Sequence, residues 1–367
     1  MSRPWHPASW RCAPAAQQPV YADAGALSHV LAGLRAATPL VRADEVDALK
    51  LQLAEAAAGR ALLLQGGDCA ETFADPDVAG LSALFDGLSA HLEASARVPV
   101  VRVARIAGQF AKPRTVEGAV WRGEVVNGRE ALEPDPKRML RAEAHARATL
   151  ARLPAGLFAS HEALLLPYEE ALVRRTEDGR WVGSGHLLWV GERTRQAAGA
   201  HLEFVAGLAN PLAVKLGPTV TPEDMLHLAG RLDPAHEPGR LTFIVRHGAE
   251  EIGRTLPALM RTARRAGLAA LWISDPMHGN TVRGGARKLR RLADMIAETQ
   301  AFVAIARSEG VWPGGLHLEM TSENVAECVG GREGAGWTSA CDPRLNPDQA
   351  AELVDAFAAA LGHRRAA

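Results

Sequence analysis

Seven short apolar runs of this chain each close on a polar or charged side chain, and that recurrence restricts the fold more than any other feature. The runs are ALLLQGGDC ending at Cys69, VPVVRVAR at Arg105, HLLWVGER at Glu192 and Arg193, LAVK at Lys215, LTFIVR at Arg246, LAALWISDPMH at His278 and GGLHLE at Glu319. Between them lie amphipathic stretches such as PEDMLHLAGRLD, EEIGRTLPALMRTARRAG and RKLRRLADMIAETQAFVAIARSEG. Strand, helix, strand at this spacing predicts a parallel sheet covered by helices. A weaker eighth strand at LFASH, residues 157–161, would close a (β/α)8 barrel. An open doubly wound sheet gathers its chemistry at one switch point, whereas parallel barrel strands carry all their ends to one mouth. Polar closures on almost every run favour the barrel.

Residues 1–60 are expected to form an N-terminal arm and helices packed on that barrel, and residues 61–367 the barrel itself. The first twenty or so residues read as an arm lying on the body or on a partner subunit. Two helices follow, the second with Asp44 and Glu45 near its start and Gly59 at its end. With 41 basic and 42 acidic side chains, no bulk charge draws the chain to nucleic acid or to a membrane surface. No uncharged apolar stretch reaches the length of a membrane span or a signal peptide. Four scattered cysteines without a Cys-x-x-Cys pair fit a reducing cytoplasm.

Two constellations carry chemistry. The first is basic: Arg105, Lys112, Arg114, Arg193, Lys215, Arg246 and Lys288. A cation closing an apolar strand is costly unless it meets an anion or a fixed carboxylate, so several at one mouth imply a ligand with more than one anionic group. The second is Cys69, His278, Glu319 and Asp342, a mixed thiolate, imidazole and carboxylate set that suits Mn, Fe, Co or Zn better than Mg or Ca. His317 shares a strand face with Glu319 and reads either as a satisfied core histidine or as an orienter of a ligand. Trp189, Trp272 and Trp337 are read as packing.

The strings LLLQGGDCAETF, VARIAGQFAKPRT, WVGERTRQ, NPLAVKLGP, IVRHG, DPMHGNT, GLHLEMTSENVAECVGG and ACDPRLN, in this order, closely resemble the type II (plant-like) 3-deoxy-D-arabino-heptulosonate 7-phosphate (DAHP) synthases. The resemblance implies a (β/α)8 barrel and a transferase that condenses phosphoenolpyruvate with erythrose 4-phosphate at the entry to the shikimate pathway. It implies a divalent ion, Mn2+ or Co2+ first and Zn2+ or Fe2+ next, on Cys69, His278, Glu319 and Asp342. It assigns phosphoenolpyruvate to Arg105, Glu192, Arg193, Lys215 and Arg246, and erythrose 4-phosphate to Lys112, Arg114, Thr115 and Lys288. Lys215, Arg193 and His278 are the expected catalytic residues, and family members more often have Ser where Thr115 stands. A homodimer or higher homo-oligomer is expected, with a chorismate mutase as a further candidate partner.

One departure from the family is the short segment between AKPRT and LFASH, where longer relatives carry an extra helical pair associated with feedback by aromatic amino acids. Weak or absent inhibition by Phe, Tyr and Trp is therefore expected, together with a role in secondary metabolism. Three alternatives stay open at this stage: an amino analogue of erythrose 4-phosphate as acceptor, a Schiff-base aldolase using Lys215, and a non-catalytic phosphoenolpyruvate-binding protein. Cys341 adjoins Asp342, and its proximity to Cys69 would make the donor set sensitive to oxidation.

Overall fold

The computed structural model describes residues 4–113, 121–284 and 287–362. Arg114 and Thr115, expected to hold the aldose phosphate, lie outside the described residues. Eight parallel strands, β1 (Leu62–Gly67), β2 (Val100–Arg105), β3 (Leu157–Glu162), β4 (Leu187–Val190), β5 (Leu212–Leu216), β6 (Leu241–Val245), β7 (Leu271–Ser274) and β8 (Gly315–Glu319), close into a barrel in the order β1-β8-β7-β6-β5-β4-β3-β2. The weak run at 157–161 is thus a full strand one residue longer than the sequence pattern indicates.

Helices α1 (Ala24–Ala36) and α2 (Ala43–Ala57) precede the barrel. Their starts follow from local chemistry: Asp23 accepts the Ala26 amide at 2.8 Å, and Glu45 accepts the Arg42 amide at 2.9 Å. Around the sheet run α3 (Val78–Ala96), α4 (Arg138–Leu150), α5 (Leu166–Leu172), α6 (Ala200–Ala206), α7 (Pro222–Leu232), α8 (Ile252–Arg265), α9 (Leu292–Ser308) and α10 (Pro347–Gly362). Between β2 and β3, α4 is the single helix among the described residues. The N-terminal arm packs on this chain's own body: Trp5 Nε1 donates to the Glu203 carbonyl at 2.7 Å and Trp10 Nε1 to Glu170 at 2.9 Å.

Register decides what faces inward. Leu63, Gln65 and Gly67 pair with Gly315, His317 and Glu319 on one side and with Val101, Val103 and Arg105 on the other. Alternation by two then stacks the barrel interior in layers, apolar at the N-terminal end and polar at the C-terminal end. Leu49, Leu53 and Ala56 of α2 cluster with the apolar layer of Leu63, Val101, Leu271 and Ile273. This helix therefore seals the N-terminal end of the barrel and leaves the chemistry at the other. Leu53 is fully buried there, so Leu53→Ala should cost about 2–5 kcal/mol of unfolding free energy, read as a lower urea midpoint, while kcat stays near the parent value. An unchanged midpoint would mean that α2 is not part of the cooperative core. No helix among the described residues is long and apolar enough to cross a membrane.

Candidate active site at the C-terminal end of the barrel

The top inward layer is set by strand ends. Arg105 closes β2 with its guanidinium 2% exposed. Nη2 donates to Glu319 Oε1 at 2.9 Å, Nη1 meets His317 Nε2 at 2.8 Å, and Nε donates to the Asp68 carbonyl at 3.1 Å. A guanidinium can only donate, so His317 Nε2 accepts and its Nδ1 carries the proton. That proton goes to Gln65 Oε1 at 2.7 Å, and Gln65 Nε2 donates onward to Ser160 Oγ at 2.9 Å. Burial, with Lys215 and Arg105 nearby, holds the His317 pKa well below its usual value. His317 thus orients Arg105. Trp189, read from sequence as packing alone, lies under the same guanidinium at 5.4 Å.

A second group forms around Asp275, the inward position that follows β7. Its Oδ2 lies 3.0 Å from Lys215 Nζ and 2.7 Å from His278 Nδ1. Burial opposes its ionisation, but the His278 and Lys215 charges hold it well below the usual carboxylate range. His278 Nδ1 donates to Asp275, which fixes the ring so that Nε2 points to Glu319 Oε1 at 3.2 Å as the ligand atom of this residue. Burial also lowers the Lys215 pKa, against the raising effect of Asp275.

His278, Glu319 and Asp342 offer ligand atoms that all lie within 4.8 Å of one another. Burial works against ionised Glu319 and Asp342, yet neighbouring cations, Lys112 and Arg290 among them, keep both well below the usual range. Arg290 Nη1 reaches Glu319 at 2.5 Å, and Lys112 and Lys288 reach Asp342 at 2.8 and 2.5 Å. Cys69 borders this trio without being part of it: the Asp342 amide donates to its Sγ at 3.3 Å. Burial pushes the Cys69 thiol up, but a hydrogen bond from Cys341 and the Lys112 charge outweigh it and bring the pKa down to about 7. One imidazole, two ionised carboxylates and an acidified thiol are a donor chemistry that fits a borderline divalent ion. The expected proximity of Cys69 and Cys341 is present.

A cavity of 360 Å³ opens beside this group, lined by Lys112, Glu162, Glu192, Arg193, Lys215, Arg246, Lys288 and Arg290 among others. Arg246 donates to the His278 carbonyl at 3.1 Å, and Glu192 accepts from Arg195 at 2.7 Å. Arg193 sits further out and donates to the Pro113 carbonyl at 2.9 Å. Lys288 comes from a hairpin, Val282–Gly284 with Arg287–Leu289, near the mouth. Every described residue read from the sequence as an anion-binding or metal-ligating candidate therefore lies at this one end. The sequence reading missed Glu162, Asp275 and Arg290. Glu162 ends β3 and is partly buried; desolvation raises its pKa, opposed by the Lys215 and Lys112 charges.

The profile of the class-II DAHP synthetase family matches residues 5–157 and 153–360. A phospho-2-dehydro-3-deoxyheptonate aldolase of Streptomyces coelicolor is 40% identical, with 94% of this chain and 95% of the relative covered. A probable phospho-2-dehydro-3-deoxyheptonate aldolase of Pseudomonas fluorescens is 42% identical at the same coverage. The solved phospho-2-dehydro-3-deoxyheptonate aldolase of Francisella tularensis superposes with a TM-score of 0.56 over 92% of this chain and 97% of that one, at 16% identity, a likeness of fold alone. Matches of this extent and identity mean that the chain belongs to the class-II DAHP synthetase family.

Proposed function

We infer that the protein is a transferase that condenses phosphoenolpyruvate, erythrose 4-phosphate and water to 3-deoxy-D-arabino-heptulosonate 7-phosphate and phosphate, the first step of the shikimate pathway. The observation that carries the reading is a pocket of cations set directly against a donor set suited to a divalent metal. Arg105, Lys215 and Arg246 bind the carboxylate and phosphate of phosphoenolpyruvate, with Glu192 and Arg193 beside them. Lys112 and Lys288, with Arg114 and Thr115, take the phosphate of the aldose. Two anionic substrates repel each other, and holding them side by side is most of what these cations do.

The chemistry that a divalent ion supplies, when held by Cys69, His278, Glu319 and Asp342, is Lewis-acid polarisation of the aldehyde oxygen, and Mn2+ or Co2+ best matches the mixed donors. C3 of phosphoenolpyruvate attacks the aldehyde carbon, water adds at C2, and the C2–O bond to phosphate breaks to leave a C2 ketone. The two protons lost from the water end on the new C4 hydroxyl and on the departing phosphate. Glu162, a carboxyl with a raised pKa in the cavity wall, receives the proton that the water gives up. A Schiff-base role for Lys215 is not favoured: it leaves the donor set idle, and Nζ is committed to Asp275.

Protein stripped with a chelator should consume phosphoenolpyruvate, followed by its absorbance, only with erythrose 4-phosphate present and only after Mn2+ or Co2+ is returned. Turnover without metal would remove the four-donor reading. Failure with every metal would remove the synthase reading itself.

A further inference from the structure

The turns that follow Arg105 and Arg246 are built alike, although they lie on different strands. After Arg105 the backbone passes through Ala107, a non-glycine residue at φ 61°. The amides of Ala107, Gly108 and Gln109 donate to the Glu71 carboxylate at 2.9, 2.9 and 2.7 Å. After Arg246 it turns at Gly248, φ 87°. There the amides of His247 and Gly248 both donate to Glu298 Oε1 at 2.9 Å, and Asn280 Nδ2 donates to Oε2 at 2.8 Å.

Glu71 and Glu298 are 5% and 0% exposed. Neither forms a salt bridge among the described residues, and neither lines the anion cavity. Burial pushes the Glu71 carboxyl up to about 7 and the Glu298 carboxyl up to about 8, while the backbone amides that donate to them favour the charged form. A buried carboxyl without a counter-ion is costly, so its place here needs a reason. Strand-end amides supply one, because they lose their ladder partners where the sheet stops and a carboxylate accepts several of them at once. The second turn also has little room to adjust: a Cβ on Gly279 would lie 2.2 Å from the Gly248 nitrogen.

We propose that Glu71 and Glu298 are positioning residues for phosphoenolpyruvate, each fixing the backbone turn beside one anion-binding arginine, Glu71 for Arg105 and Glu298 for Arg246. The proposal rests on the reading that these two arginines bind phosphoenolpyruvate. Glutamine is nearly isosteric but turns an acceptor into a donor. In Glu298→Gln one amide orientation faces the His247 and Gly248 N–H groups and the other faces Asn280 Nδ2, so a donor meets a donor either way. Glu71→Gln meets the same conflict, because both of its oxygens accept backbone N–H groups.

The test is a set of double-mutant cycles on the full-length, Mn2+-loaded protein, with phosphoenolpyruvate binding read by calorimetry. Each glutamine variant should weaken binding about tenfold or more. Glu298→Gln should add less than about twofold in an Arg246→Ala background yet keep its whole effect in Arg105→Ala, and Glu71→Gln should show the opposite pairing. General loosening of the fold would add equally in every background. Affinity within about twofold of the parent for both glutamine variants, or full additivity with the paired arginine, would overturn the proposal. If Arg105→Ala and Arg246→Ala themselves leave binding unchanged, it is the substrate reading that has failed. Where a glutamine variant does not fold, Glu→Asp, which withdraws the carboxylate by one methylene, goes through the same cycle under the same criteria.

Discussion

Glu162→Gln should lower kcat by about 10²- to 10⁴-fold while leaving the KM of each substrate within about threefold of the parent. The amide keeps the shape of the side chain and its place at the end of β3, but it cannot receive the proton released when water adds at C2. Loss confined to kcat is what removal of a transition-state interaction produces, whereas loss of an anion-binding contact would appear in KM. Steady-state kinetics with each substrate varied in turn make the check. A variant whose kcat stays within about fivefold of the parent would take Glu162 out of the reaction, because general-base catalysis is worth far more than that.

Asp275→Asn is expected to be nearly as damaging, through a different route. One carboxylate here serves His278 Nδ1, Lys215 Nζ and the backbone amides of Met277 and His278. An asparagine has one oxygen for all of them and turns its amide toward either Lys215 or His278. The imidazole then loses the acceptor that keeps its lone pair on Nε2, and Lys215 loses its buried partner. Metal affinity, measured by competition with a chelator, should fall about tenfold or more, and kcat/KM about 10²-fold. Unchanged metal affinity would show that His278 is oriented by something else.

Much of this site could be read from the residues themselves, and the gaps have physical causes. Cations and donors that close obvious apolar runs, such as Arg105, Lys215 and Glu319, stand out because a polar residue at the end of a buried strand is conspicuous. Glu162 was overlooked because its strand reads weakly as LFASH, and the pattern stops at His161, one residue short of the next inward position. Asp275 lies inside the run that closes on His278: the strand ends at Ser274, and only the register reveals that the following side chain faces the site. Arg290 sits in RKLRRLADMI, which reads as the solvated start of a helix. Its burial against Glu319 depends on where β8 lies, and no local pattern encodes that. The Glu71 and Glu298 turns are likewise long-range contacts between backbone and side chain.

The barrel closes by pairing its first strand with its last, and Gln65 meets His317 across 252 residues. During synthesis Arg105 leaves the ribosome long before the carboxylate that will neutralise it. Until Glu319 arrives, its guanidinium has no buried partner, and α2 has no complete apolar layer to cover. A nascent chain that has not yet made β8 leaves β1 and β7 without the strand between them, and unpaired sheet edges of this kind invite association with other chains. The cationic cavity and the His278, Glu319 and Asp342 cluster are brought together only when the final strand and the loop after it dock, so a single late event in folding assembles both.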